Sequence, residues 1–307
     1  MKISIALTTY NGADYLREQL DSIKKQTLQP DEVIIVDDVS SDGTLDLVNE
    51  YIKDNNLSSK WIVFQNKQNV GWKVNFRKAI ELCSGDIVFL CDQDDIWEED
   101  KIESMFDVIR DNPGIDVLAS NYMRIDHRGT IIDNSLSNKK AISKLCLMRF
   151  GFIINRPGCT YCFRKKIMDE IKGIDNEDIP HDTVLWIISI IKGTLFLYNK
   201  VTTRYRFHRN STTQCKNGLT IESIIKELLL QDKCIAIAIS FCEINKEYGL
   251  LIPSIRSLEN SNRCRIQYLQ EHSFMMFWRN VLNNSRYYFG TKKIFLDFCA
   301  IMKKEER

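Results

Sequence analysis

The chain has 307 residues, of which 44% are hydrophobic and 27% charged, with a formal net charge of +1. That length suits one large domain and an appendage around a real core, and the near-neutral balance argues against nucleic acid as an obligatory partner, because phosphate binding leaves a basic excess. No apolar run approaches the roughly 20 residues that span a bilayer: Val184 to Ile191 is short, and Gln231, Asp232 and Lys233 interrupt Leu228 to Phe241.

Lys2 to Leu7 reads as a strand that ends in the polar turn Thr8 to Gly12, and Tyr15 to Gln26 has helical spacing. With no basic, apolar, small-residue leader before that strand, the chain is expected in the cytoplasm. Its ten cysteines are then reduced thiols; Cys159 and Cys162 have CxxC spacing but no second pair at zinc-site distance. Glu32 to Val36 is a second strand, ending in Asp37 to Thr44, whose acidic and hydroxyl residues can cap a helix over 44–54. A third strand, Trp61 to Phe64, precedes Asn66 to Trp72 and a helix from about Val74 to Leu82. Asp86 to Leu90 is the fourth. Strands alternating with helices in this way predict right-handed crossovers and a mainly parallel sheet with helices on both faces.

The fourth strand runs into Cys91-Asp92-Gln93-Asp94-Asp95-Ile96-Trp97. Three carboxylates within four positions repel one another, and at a strand end they suit a divalent cation or a polyanion bridged by one. A helix over 99–111, a strand over 117–120, strands over 150–155 and 160–163, and a short helix over 164–171 follow. Pro180-His181-Asp182 opens an apolar helix to Lys192, after which Leu195 to Tyr198 and Val201 to Phe207 read as a hairpin running into His208. From Leu219 onward only helical patterns remain, so a boundary is expected at 218, dividing a catalytic domain, 1–218, from a helical extension, 219–307. Residues 253–307 hold ten Arg or Lys against five Asp or Glu, interleaved with aromatics such as Phe274 and Trp278. Such a tail can rest on the inner face of an anionic membrane or pack onto the main domain.

Thr9 and Asp38, at strand ends, can accept a base N–H and a ribose hydroxyl, while Asp92 and Asp94 can reach ribose and metal. Neither a dinucleotide-binding glycine fingerprint nor a P-loop is present. Asp182 at a helix start is by itself an ordinary cap, and His208 by itself an ordinary surface or core histidine.

In order and spacing, Thr8-Thr9-Tyr10-Asn11-Gly12, Ile35-Val36-Asp37-Asp38, Asn69-Val70-Gly71, Cys91 to Trp97, Pro157-Gly158-Cys159-Thr160, His181-Asp182 and Tyr205 to Asn210 resemble the glycosyltransferase family 2 enzymes, in particular their rhamnosyltransferase-like branch. The resemblance covers about residues 1 to 213. It implies a GT-A type α/β fold and inverting transfer of a sugar from a nucleotide diphosphate donor, dTDP-rhamnose or a UDP-hexose, to a saccharide or lipid-linked saccharide acceptor. It implies that Thr9, Tyr10 and Asp38 hold the nucleoside, Asp92 the ribose, and Asp94 a divalent metal, Mn2+ or Mg2+, with His208 as second ligand. Asp182 matches the general base. Asn11, Asn69, Gly71, Lys73, Gln93 and Trp97 complete the candidate donor contacts, Trp97 flanking a sugar. Val39 stands where the family usually has a small residue, often glycine, and Thr183, Phe207 and Arg209 also depart from the branch, which leaves the donor open. The alternatives are a nucleotidyltransferase using Lys73 and Arg77 on the phosphates, and a non-catalytic carbohydrate-binding scaffold.

Overall fold

A computed structural model describes residues 1–147, 152, 154–174, 179–208, 220–288 and 291–302. Its first half alternates β1 (Ile3–Thr9), α1 (Ala13–Lys24), β2 (Glu32–Asp37), α2 (Thr44–Asp54), β3 (Trp61–Gln65), α3 (Trp72–Leu82) and β4 (Ile87–Cys91). There follow β5 (Ile96–Trp97), α4 (Lys101–Asp111), β6 (Val117–Ile125), β7 (Ile131–Asp133) and β8 (Ile142–Lys144). Beyond a 3-10 turn over Gly158–Thr160 come β9 (Tyr161–Arg164), α5 (Ile167–Ile171), α6 (His181–Lys192) and β10 (Leu195–Arg206). The extension consists of α7 (Ile221–Ile244), α8 (Ile252–Gln270), α9 (Phe274–Asn284) and α10 (Thr291–Met302).

One sheet runs β3-β2-β1-β4-β9-β6-β10-β5. The first four strands are parallel, as the strand-helix alternation predicts. Beyond β4 the sheet is mixed: β9 enters antiparallel between β4 and β6, and β6 and β10 are again parallel. The architecture is α/β with a helical C-terminal extension. Period-two alternation divides the core between the two faces. Ile5, Leu7, Ile35 and Phe89 pack with Leu16, Leu20, Val48 and Ile102 of α1, α2 and α4. On the other face Ala6, Ile34, Val36, Val88 and Leu90 meet Phe76 and Ile80 of α3 and Leu185 and Ile188 of α6. Cys234, Ile235 and Phe241 of α7 join this second cluster, so the extension is anchored to the sheet's helical layer.

Two expectations are corrected. Residues 195–206 are one strand, not a hairpin: β10 shifts register against β6 between Tyr198 and Thr203, and the irregularity at Asn199-Lys200 mimics a turn in sequence. The helix predicted at Val74 starts at Trp72, directly after Gly71, whose φ is +81°. Of the strand expected over 150–155, residues 150, 151 and 153 lie outside the described residues and 152, 154 and 155 are not in a strand; the residues flanking the 218 boundary, and Arg209 and Asn210, also lie outside the described residues.

Candidate functional site

Strands β1, β2 and β4 end side by side, and the loops leaving them enclose a cleft of about 510 Å³ at the carboxyl edge of the sheet. Of the candidates chosen from sequence, Thr9, Tyr10, Asn11, Asp38, Asn69, Gly71, Asp92, Gln93, Asp94 and His208 line it; Lys73, Trp97 and Asp182 do not.

One wall is a set of interlocked loops. Gln93 accepts the Tyr10 N–H at 2.8 Å and donates to the Tyr10 carbonyl at 3.0 Å, clamping the β1 loop to the acidic loop. Gly12 makes that clamp possible, because a Cβ there would stand 2.2 Å from Gln93 Oε1. Asn11 accepts the Ser41 N–H at 2.8 Å and so ties the β1 loop to the β2 loop. Val39 in that second loop has φ +64°, a left-handed conformation that a β-branched residue adopts under strain and glycine adopts freely. The small residue that the resemblance leads one to expect at this position thus has a backbone reason.

Thr9 and Asp38 are more committed than expected. The Thr9 hydroxyl donates to Asp37 Oδ1 at 2.9 Å. Asp38 Oδ1 accepts from Asn66 Nδ2 at 2.7 Å and the Val70 N–H at 2.9 Å, and its Oδ2 accepts the Gly71 N–H at 2.8 Å. Asp38 therefore builds the Asn66 to Gly71 turn that opens α3, and only Oδ2 keeps clear acceptor capacity. Asn69 works within the same turn, donating to the Asp38 carbonyl at 3.2 Å and accepting the Gly71 N–H at 3.1 Å.

The acidic loop forms the opposite wall. Asp94 Oδ2 lies 2.7 Å from His208 Nε2, and the imidazole rests on the Tyr15 ring at 4.7 Å. Asp95 is fully buried; its Oδ1 accepts the Arg206 N–H at 3.0 Å, while among the described residues no nitrogen or oxygen donor reaches its Oδ2 and the Cys159 thiol lies beside the carboxyl. Arg206, itself 1% exposed, donates to the Asp94 carbonyl and to Glu18, both at 2.8 Å, and stacks over Tyr15. Burial, then the neighbouring charges of Asp95, Asp94 and Asp182, push the Asp92 carboxyl well above the usual carboxylate range. Burial and Asp94 likewise push Asp95 up to about 7. Beneath the loop, the fully buried Lys101 donates to the Cys159 carbonyl at 2.6 Å and to Thr203 Oγ1 at 2.8 Å.

Asp182 stands in the first turn of α6, beyond the cleft lining, and accepts the Thr183 N–H at 2.7 Å. The N-cap is Pro180, so Asp182 is not the cap itself. Gly158 gives its carboxylate room: a Cβ there would lie 2.9 Å from Asp182 Oδ2. The Asp182 charge reaches Asp92, which it helps to raise. Next to it His181 is buried and stacked on Phe76 at 4.2 Å; burial pushes its pKa down to about 4, so the ring is neutral near pH 7.

Trp97 was expected beside a sugar and is instead a core residue, 2% exposed, packed on Phe89 at 6.1 Å with the Lys101 ammonium 4.1 Å over its ring. Strand β5 pairs Trp97 with Thr203 of β10, and the pleat turns its side chain inward. Lys73 lies outside the cleft lining with its ammonium 5.9 Å over the Trp72 ring, and Arg77, also outside it, donates to the Ile179 carbonyl at 2.8 Å. Tyr15, Trp72, Phe76 and Arg206 line the cleft without having been singled out. Trp72, 44% exposed directly after Gly71, carried a signal in its position at a helix start beside a left-handed glycine. Arg206 lies within the Tyr205 to Asn210 motif, but its role depends on the distant Glu18, which that motif does not reveal.

The donor set fits a divalent cation. A carboxylate oxygen and an imidazole nitrogen from separate elements converge on one point, a combination that Mn2+ accepts and Mg2+ tolerates less well. Arg206 is the cation in the lining among the described residues, and it is already spent on Glu18 and Asp94, so a diphosphate entering this carboxylate-rich cleft needs a counter-charge. Asp92, Asp95 and Cys159 also bring ligand atoms within 4.8 Å of one another, but burial pushes the Cys159 thiol well up, and a protonated thiol is a weak ligand.

The sequence profile of glycosyl transferase family 2 matches residues 4–172. The chain is 29% identical over 217 residues to the dTDP-rhamnosyl transferase RfbG of Shigella flexneri, covering 67% of this chain and 72% of that protein. It is 26% identical over 216 residues to a candidate teichuronic acid biosynthesis glycosyltransferase, TuaG of Bacillus subtilis, covering 70% and 82% respectively. Its fold is similar to that of S. aureus TarS 1–349 solved in complex with UDP-GlcNAc, with a TM-score of 0.61 and 18% identity over 98% of this chain and 90% of that one.

Proposed function

This chain belongs to glycosyl transferase family 2, and from that premise we propose that it transfers a sugar from a nucleotide diphosphate donor to a hydroxyl of a saccharide acceptor, with inversion, in the synthesis of a bacterial surface polysaccharide. The donor is dTDP-rhamnose or a UDP-hexose; RfbG and the UDP-GlcNAc complex of TarS support these two classes. The observation that carries the reading is the disposition of carboxylates: Asp92 and Asp94 on the cleft wall, and Asp182 outside it, across Gly158 and within electrostatic reach of Asp92.

In this reading the loops of Tyr10, Asn11, Asn69 and Gly71 shape the nucleoside end of the cleft, with Asp38 Oδ2 and Asp92 toward the ribose. Trp72 and Tyr10, both about half exposed, offer flat surfaces to the base or ribose. Asp94 and His208 would hold the divalent ion, which supplies charge to stabilise the departing diphosphate. Asp182 takes the proton of the acceptor hydroxyl as that oxygen bonds to the anomeric carbon, and the electron pair of the breaking carbon–oxygen bond leaves on the diphosphate. Attack from the face opposite the leaving group inverts the anomeric centre. Arg206 holds the Asp94 carbonyl and so keeps the metal loop in place.

We assign catalysis to residues 1–218 and treat 219–307 as an appended helical part. The helical character of every described element beyond Arg206 supports this division, although α7 shares the core of the sheet layer. The test is a panel of nucleotide sugars incubated with the purified chain, with Mn2+, with Mg2+ and with chelator, followed by thermal shift and donor turnover. Metal-dependent stabilisation by one donor class is expected. Absence of any donor-dependent shift or turnover under all three conditions would overturn the reading.

A further inference from the structure

Helices α9 and α10 carry apolar side chains on the faces they turn to solvent. In α9, Met275, Trp278 and Leu282 recur at i, i+3 and i+7 and are 81%, 51% and 80% exposed. At about 100° per residue these three fall within about 60° of one another on the helix. Phe277 and Asn280, on the opposite side, are buried. In α10, Phe295 and Met302 are 64% and 57% exposed, while Asp297, Ala300 and Ile301 face inward. The Phe298 ring joins the two helices, 5.9 Å from that of Phe274 and 6.5 Å from that of Trp278. The apolar side chains of the two helices therefore meet at this ring. A water-facing helix normally sets polar residues there, and a contiguous exposed patch marks an interaction site.

Charge selects the partner. From His272 to Met302 the only acidic residue is Asp297, and it is consumed inside: Arg265 donates to its two oxygens at 2.8 and 3.0 Å, and the Tyr268 hydroxyl bonds it as well. The same stretch contains Arg279, Arg286, Lys292 and Lys293. Helical spacing sets the exposed Arg279 about 40° from Met275, and the exposed Lys292 about 60° from Phe295, at the border of the apolar face. Lys293, turned further round the helix, pairs with Glu227 at 2.8 Å. A two-fold interface with a second copy would bring like patches together and set this basic border against itself. An anionic surface meets both the apolar face and its cationic border.

We propose that the outer face of α9 and α10 is a docking surface for an anionic lipid bilayer. Met275, Trp278, Leu282 and Phe295 enter the boundary between headgroups and acyl chains, and Arg279 and Lys292 reach lipid phosphates. Among the described residues no helix is long and apolar enough to cross a membrane, and docking of this kind is peripheral and reversible. The inference does not depend on the donor or on the metal.

Co-sedimentation of the full chain with phosphatidylcholine vesicles, and with vesicles in which about a third of the lipid is phosphatidylglycerol, tests it. Binding to the anionic vesicles alone, declining as salt is raised, is expected. Met275→Asp, Trp278→Asp and Leu282→Asp combined should remove binding, and Arg279→Glu with Lys292→Glu should lower partitioning by about fivefold per residue or more. Both variants should keep wild-type circular dichroism and donor turnover, since the cleft lies in other elements. The proposal is overturned if wild type stays in the supernatant with anionic vesicles or if the triple variant sediments like wild type. A concentration-dependent oligomer by light scattering, lost in the triple variant, would assign the face to self-association instead.

Discussion

Replacing Asp182 by asparagine separates chemistry from binding. Asparagine is isosteric, its Oδ1 can still accept the Thr183 N–H now held at 2.7 Å, and its amide fits the space left by Gly158. What disappears is the ability to take a proton. General-base catalysis contributes about 10²- to 10⁴-fold, so kcat should fall by that factor, roughly 3 to 5 kcal/mol of barrier. Asp182 does not line the cleft, so nucleotide affinity in the presence of Mn2+ should stay within about threefold of wild type, because uniform binding is untouched. Gly158→Ala offers an independent approach: with its new Cβ only 2.9 Å from Asp182 Oδ2, the carboxylate must move, and displacement of about 1 Å costs on the order of 10²-fold. Steady-state kinetics with the preferred donor, beside calorimetric titration with the free nucleotide, measure both quantities. An Asp182→Asn enzyme that retains more than about a tenth of kcat would refute the assignment of the base.

Asp94→Ala should act in the opposite sense, weakening Mn2+-dependent nucleotide binding by at least the roughly 10- to 100-fold that even outer-shell changes cost; equal affinity with and without Mn2+ in the wild type would remove the basis for the metal site. Val39→Gly should stabilise the fold, since relief of about 1–2 kcal/mol at φ +64° outweighs the roughly 0.5–1 kcal/mol of added unfolded-state entropy. A denaturant midpoint that falls instead would show that the turn is unstrained. His181 gives a pH signature. Its folded pKa of about 4 lies below the ordinary 6.5, so the unfolded chain binds the proton first. The stability it protects is whole above pH about 6.5 and is lost as pH falls toward about 4, by about 3 kcal/mol. Asp95, raised to about 7, contributes in the reverse direction over an overlapping range, its stability declining as pH rises toward 7. The comparison is therefore wild type against His181→Phe in chemical denaturation from pH 4 to 7, where the variant should lose less stability on acidification; parallel curves would contradict the burial argument.

Much of the nucleotide half could be read from the chain alone, because its information is local. The apolar runs at Ile3 to Leu7, Glu32 to Val36 and Ile87 to Leu90 each become buried parallel strands, and each ends in the polar loop that the sequence places there. A strand buried on both faces is apolar apart from polar groups that find partners, as Ser4 and Glu32 do in each other, and a ligand loop must be polar, so the change from one to the other marks the cleft. The order of motifs carried the family, and ten of the candidate residues do share one cleft.

What the tertiary structure decided depends on partners far along the chain. The antiparallel entry of β9 between β4 and β6 joins strands with whole elements of the chain between them, and hydrophobic period cannot specify which edge a strand finds. Trp97 follows the acidic loop in sequence yet faces the core, because β10, about a hundred residues later, fixes the pleat of β5. Asp38 reads as a free ligand group until the Asn66 to Gly71 turn closes on it, and Arg206 reads as one more basic residue until Glu18 and the Asp94 carbonyl come within reach. The sequence by itself determined the elements, the polarity of the strand ends and the kinds of side chain at the cleft. Which of those side chains remain open to a ligand, and which are spent holding the loops, was decided only by the fold, since a polar atom's partners are set by distance in space and not by spacing along the chain.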